Sequence, residues 1–246
     1  MIVGGAISLT VAATYLVRRL VPEELHASNN QVAGFLFAAV AVIYGVLLAL
    51  TTLMVWQQFQ DAQVTVEREA NVIVDLVRQA QELPTPYGND LKQATISYAQ
   101  IVDTDEWNTM TRGESSPKAE AALEAIWTVD RRIHQDKINA EEKDQFIFEI
   151  MDTLGNLRRI RLLESKSELP SLMWLLLCGG ALLMIGFTLF FRVKNARAHL
   201  LMVALLSALI AFILLMILEL DNPFTGMLHV PPLAFQQALE IIQRMR

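Results

Sequence analysis

Cysteine is almost absent from this chain of 246 residues. The single one, Cys178, lies inside an apolar run, so no disulfide can form within one chain and no cysteine-based zinc site can be built. Histidine is nearly as scarce. His26, His134, His199 and His229 are scattered, and the Glu23–His26 spacing reads as a solvated interfacial cluster, so neither a metal nor a cofactor is expected. There is no basic tail, and the net charge is −6, which argues against nucleic acid as a partner. A Gly-rich phosphate loop, a nucleophile elbow and a His-Glu-x-x-His pair are all missing, so the chain does not read as an enzyme. No segment alternates polar and apolar residues, which leaves no candidate strand.

What the chain has is apolar length. Residues 29–56 carry no charge. As a helix, with about 1.5 Å rise per residue, this stretch spans roughly 40 Å, more than the ~30 Å hydrocarbon core. Beyond it the sequence turns polar, yet neither Pro nor Gly occurs before Pro84. The expectation is one rod that begins in lipid and continues as an amphipathic helix to about Leu83.

Three further apolar runs follow the same logic. Met1 to Val17 is followed by Arg18-Arg19, the reverse of a secretory signal, and reads as a short first membrane helix. A polar hinge, 18–28, leads to Asn29 or Asn30 as a cap for the second helix. Pro170 to Phe191 and His199 to Leu218 form the third and fourth runs, joined by a basic loop. None of the four carries an internal charge, which argues against an ion-coupled pump.

Residues 57–169, with more acids than bases, read as helices throughout. Pro84-Thr-Pro86 breaks the rod. Asn89 is the expected cap of a helix over 90–111, and Ser116-Pro117 starts another that runs to about Asp136. Asn139 with Glu142 resembles a capping box for a fourth, 140–167, with Ile147, Ile150, Leu154, Leu157 and Ile160 inward. The expected fold is all-α: a four-helix transmembrane protein with a long helical bundle inserted between the second and third membrane helices. Its parts are membrane helices 1 and 2 (1–56), the bundle (57–169), membrane helices 3 and 4 (170–218), and a tail with a short amphipathic helix (219–246). Basic residues are nearly tied between the two sides, with the denser short loops giving slight preference to a bundle outside the cell.

Two stretches could carry function. Steps of three and four along the second helix pick out Asn30, Gly34, Phe37, Ala41, Tyr44 or Gly45, Leu48, Thr52 and Trp56. Polar groups in lipid need a partner or a water-filled cavity. The stripe can line a pore between several copies, with Phe37 and Leu48 as dry constrictions, or it can be ordinary helix packing. At the exit of the fourth helix, Glu219, Asp221, Asn222, Pro223, Phe224 and Gly226 form either a gate latch or cation site, or a helix stop with solvated carboxylates. Arg131, Arg132, Arg158, Arg159 and Arg161 read as salt-bridged helix faces rather than a vestibule that attracts anions, and Trp107 with Met110 as core or hairpin packing rather than a contact site.

Asn29-Asn30-Gln-Val-Ala-Gly34-Phe-Leu-Phe37, Trp56-x-x-Phe59-x-Asp61-Ala, Val66-Glu67-Arg-Glu69-Ala70, Glu106-Trp107 and Leu220-Asp221-x-Pro223-Phe224-x-Gly226 together resemble the bestrophin-like family of bacterial membrane proteins. That resemblance implies four membrane helices and a helical insert, and points distantly to the bestrophins, pentameric anion channels whose second helix lines the pore and whose helical domain is cytosolic. Thr225 interrupts the bestrophin Asn-Pro-Phe-Gly, and Met227-Leu-His-Val-Pro-Pro stands where bestrophins have a calcium-binding acidic run. The expectation is a multi-pass protein of the cell (inner) membrane: a homo-oligomeric, pentameric channel for anions such as chloride. The alternative is a membrane-anchored sensor or scaffold whose bundle binds a partner protein.

Overall fold

The computed structural model describes residues 4–5, 30–136, 141–191 and 195–245. The first apolar run apart from Gly4 and Gly5, the hinge 18–28, the Asn29 cap, Asn139 and part of the basic loop lie outside them. Among the described residues every regular element is helical: α1 Asn30–Ala80, α2 Tyr87–Ile101, a π turn Val102–Glu106, α3 Trp107–Met110, α4 Pro117–Gln135, α5 Glu141–Glu164, α6 Ser171–Phe190, α7 Ala196–Asp221 and α8 Leu233–Arg244. Among the described residues three helices are long and apolar enough to cross a membrane. The expected rod is a single helix of 51 residues.

The chain divides into two compact units. The first comprises Met1–Gln57 and Glu168–Asp221. Its described part is α6 and α7, which pack as a hairpin, with the first half of α1. The Tyr44 hydroxyl donates to the Leu177 carbonyl at 2.9 Å. Gly180 makes room for this: a Cβ there would collide with the Tyr44 ring. Phe37 meets Phe187 and Phe191 at ring-centroid distances of 6.4 and 5.5 Å. His199 Nε2 lies 3.1 Å from the Thr188 carbonyl across the α6–α7 turn.

The second unit comprises Gln58–Ser167 and Asn222–Arg246. Its core is built from the aqueous half of α1 and from α2, α4, α5 and the tail helix α8, which turns Phe235, Ala238 and Ile242 inward. Ser116 caps α4 by accepting from Ala119 N–H at 3.2 Å, with Pro117 in the first position. Asn89 is not a cap. Helix α2 starts at Tyr87, because the Pro84 and Pro86 carbonyls already accept from Gly88 and Asp90 N–H. The turn needs glycine at 88, where a Cβ would strike the Ala80 carbonyl.

The α5 seam is also rotated from its expected position. Ile147, Leu154 and Leu157 are buried as expected, joined by Met151, Arg158 and Arg161, whereas Ile150 and Ile160 are only partly covered. The seam keeps helical three-and-four spacing, but two of its members are arginines, which an apolar reading skips.

The Tyr44–Gly180 contact gives a stability prediction. Removing the hydroxyl in Tyr44→Phe should cost about 1 kcal/mol, typical of an interhelical hydrogen bond in a membrane. Gly180→Leu should cost more, because the side chain has nowhere to go. Thermal unfolding in detergent checks this, and a Gly180→Leu protein as stable as wild type would contradict it.

Candidate functional site

Helix α1 has two unlike sides. Tyr44, Leu48, Thr51 and Val55 are buried, and further along Ala62, Val66, Glu69, Ile73, Leu76 and Ala80 are as well. On the other side Phe35, Ala38, Val42, Val46, Ala49, Leu53, Gln57, Gln60, Val64, Glu67, Asn71, Asp75 and Arg78 follow one another in steps of three and four, and every one is exposed. An uncovered stripe therefore runs the length of the helix. It is apolar through Leu53 and, apart from Val64, polar from Gln57.

The expected pore residues divide between these sides. Tyr44 (5% exposed) and Leu48 (6%) are committed to packing within the chain; their bulk fits the groove against α6 better than any open position. Phe37 stacks on Phe187 and Phe191, and Gly34 abuts Phe191. Ala41 and Thr52 are half-covered and Gly45 is exposed, so these three border the open stripe. Only the backbone of Asn30 is described, as the first residue of the helix.

The segment after the fourth apolar run is not solvated, as a simple helix stop would be. Asp221 is buried, and its carboxylate accepts from Leu169 N–H at 2.7 Å and from Trp174 Nε1–H at 3.4 Å. It sits at the entrance of α6, where free backbone N–H groups favour an anion. In the second unit Val230 N–H donates to the Pro223 carbonyl at 2.8 Å, and Gly226, at φ 81°, turns the loop. Phe224 is buried edge-on against Trp107, with ring centroids 5.7 Å apart. Asn222 is half-buried.

Motifs far apart in sequence meet at Arg161. This guanidinium is fully buried. Its Nε donates to Glu69 at 2.6 Å, and its Nη2 donates to Glu69 at 3.1 Å and to Glu106 at 2.7 Å. Its flat face lies 5.5 Å from the Trp107 ring centre and 5.7 Å from that of Phe235. Arg158 grips Glu106 from the other side at 2.7 Å and also binds Glu120. Tyr98 O–H donates to Glu69 at 2.6 Å, and Trp107 Nε1–H to the Val230 carbonyl at 3.2 Å. Two buried acids thus face two buried arginines. Burial pushes the Glu106 carboxyl up, but the two guanidiniums outweigh it and hold the group below the ordinary range. Burial, reinforced by the Glu69 charge, raises Tyr98 well above the usual phenol value.

The π turn makes this convergence possible. Trp107 N–H donates five residues back, to the Val102 carbonyl. In an uninterrupted α-helix Trp107 would lie roughly 180° around from Tyr98. The wider turn brings Tyr98, Glu106 and Trp107 to one side. Arg131 and Arg132, by contrast, make exposed pairs with Glu124 and Asp90, and Arg159 is exposed. No group of three or more His, Cys, Asp or Glu side chains able to hold a metal occurs among the described residues.

A family model, the Bestrophin-like domain, matches residues 4–235. Solved structures of a bacterial bestrophin homologue from Klebsiella pneumoniae are similar over nearly the whole length. A point-mutated form has a TM-score of 0.79 at 14% identity, covering 99% of this chain and 96% of that chain. A form phased on zinc has a TM-score of 0.74 at 13% identity, covering 98% and 97%. A crystal structure described only as a membrane protein has a TM-score of 0.76 at 13% identity, covering 99% and 98%. At such identities the likeness concerns the fold. A comparison with curated proteins found no match.

Arg161→Met should destabilise the protein by about 3–5 kcal/mol, because it leaves buried carboxylates without their cation. Adding Glu69→Gln should recover part of that loss. Glu106, held low, contributes stability that is present above the ordinary carboxylate range, near pH 4.3, and lost as the pH falls through its own lower value. Glu106→Gln should therefore flatten the acid limb of the stability profile. Denaturant titrations at several pH values check both; an Arg161→Met protein within 1 kcal/mol of wild type would contradict the account.

Proposed function

Because this chain belongs to the Bestrophin-like family, we propose that it is a homo-oligomeric, pentameric channel of the bacterial inner membrane, permeable to anions such as chloride, with α1 lining the conducting path. One observation carries this reading: α1 is a single helix of 51 residues with an uncovered stripe along its whole length. A monomer in a bilayer gains nothing from a uniformly exposed rod that extends into water. A ring of copies gives that stripe a use. Its apolar part, from Phe35 to Leu53, would form a constriction that closes by dewetting, and its polar part would form a wetted vestibule. Ala41, Gly45 and Thr52 would flank the path, with Tyr44 and Leu48 holding the helix from behind. Asp221 would act as a latch in the first unit, tying the end of α7 to the start of α6, and the segment from Asn222 to Gly226 would be anchored in the second unit by Phe224 against Trp107.

A second reading, cation permeation, is favoured by the charges on the stripe. Asp75 is paired with Arg78 at 2.9 Å, whereas Glu67 accepts from a neutral amide, that of Gln63, at 3.1 Å. A ring of such carboxylates would attract cations.

Purified protein in liposomes tests both. The channel reading predicts ion flux above that of empty vesicles, raised several-fold when Val42, Val46 and Leu53 are replaced by Ala, while Phe37→Ala mainly lowers stability. In a potassium chloride gradient the reversal potential should move toward chloride equilibrium; movement toward potassium equilibrium would select the cation reading. Absence of flux, with a monomeric or dimeric particle and a stoichiometric partner protein, would replace both with a sensor or scaffold.

A further inference from the structure

Among the described residues of the second unit, Glu164 is a half-buried acid with no ion pair. Glu164 closes the last turn of α5, and Thr65 Oγ1–H of α1 donates to its Oε1 at 3.0 Å. Its Oε2 is buried without a hydrogen-bond partner. The two buried arginines on the same helix are engaged elsewhere, Arg161 with Glu69 and Glu106 and Arg158 with Glu106 and Glu120, and Arg159 is exposed. The groups that act on Glu164 from α1 are acids, Asp61 and Glu69, and Arg161 is the opposing charge on its own helix.

We propose that Glu164 is a proton-binding site on the contact between α1 and α5, and that protonation tightens that contact. A proton removes a charge that faces two other carboxylates. The proton settles on Oε2, the buried oxygen that no donor reaches, while Thr65 goes on donating to Oε1. Burial, with Asp61 second to it, pushes the Glu164 carboxyl above its ordinary value, against the Thr65 hydrogen bond and Arg161, which favour the charged form. The sign of the linkage follows. With the folded value above the unfolded one, the folded state binds the extra proton between the two, so stability from this site is present at low pH and declines as the pH rises through that interval. Glu106 acts in the opposite sense at more acid pH, so the contact is tightest in mildly acid solution. The rod that the channel reading places around the path would then be held by a proton, but the site stands without that reading.

The test uses the full-length protein in detergent and reads the proton itself rather than ion flux. Hydrogen exchange followed through a pH titration, corrected for its intrinsic pH dependence, should show several-fold more protection of residues 58–69 at the acid end than at neutral pH. The acid-minus-neutral infrared difference spectrum should contain a protonated-carboxyl band. In Glu164→Gln the protection should be high throughout and the band gone. In Thr65→Val, which loses the bond that favours the ionised form, the transition should move to higher pH. The proposal is overturned if Glu164→Gln keeps the wild-type pH dependence or the band, if the Thr65→Val transition stays or moves down, or if wild type shows neither signal. Loss of flux with these signals intact would remove the channel reading and leave the proton site.

Discussion

A helix of 51 residues has a single rotational setting, and two side chains fix it. Tyr44 is held by the Leu177 carbonyl and the space above Gly180. Glu69 is held by Arg161 and Tyr98. One anchor lies in each unit, and each fixes its own half of the helix. With both in place, the opposite side of α1 is left uncovered from Phe35 to Arg78. The family's resemblance motifs acquire a physical meaning here. Glu69, Glu106, Trp107 and Phe224 are far apart in sequence, yet all serve the setting of one helix.

The two anchors differ in kind because their surroundings differ. In an apolar medium, burying more apolar surface does little to select one helix arrangement, so close approach at glycine and a single hydroxyl do that work. In the aqueous unit the anchor is a network of buried charge. Such a network adds little net stability over an apolar core of the same volume, but any misplacement strands a charge, which is costly. It therefore acts on uniqueness: only one register of α1 against α5 gives Glu69 and Glu106 their arginines. Glu164, one turn beyond Arg161, is the acid that this pairing leaves without a cation.

The length and continuity of α1 were legible in the sequence because an uncharged run followed by an unbroken amphipathic run has few other solutions. The Ser116-Pro117 start and the tail helix were legible for local reasons, capping and amphipathicity. The rotation of helices was less so. A mixed stripe with Tyr44 and Leu48 reads equally as pore or packing, and only the partner on α6 decides which side is covered. Arg158 and Arg161 were invisible as core residues because apolar periodicity assigns arginine to the surface. Their partners, Glu69 and Glu106, are more than fifty residues away. The π turn had one faint signal, the adjacent Glu106 and Trp107, which a regular helix cannot both turn inward beside Tyr98. Asp221 looked like a solvated end because nothing nearby in sequence predicts a donor at Leu169.

The most direct measurement of the central claim, that the uncovered side of α1 faces the conducting path, is thiol accessibility along that helix. In a Cys178→Ala background, cysteine would be introduced one position at a time from Phe35 to Gln57, and flux through liposomes measured before and after a water-soluble thiol reagent. The account predicts that block recurs with helical period at Val42, Val46, Ala49 and Leu53 and spares Tyr44, Leu48, Thr51 and Val55. Block at the second set, or block without a period, would contradict it.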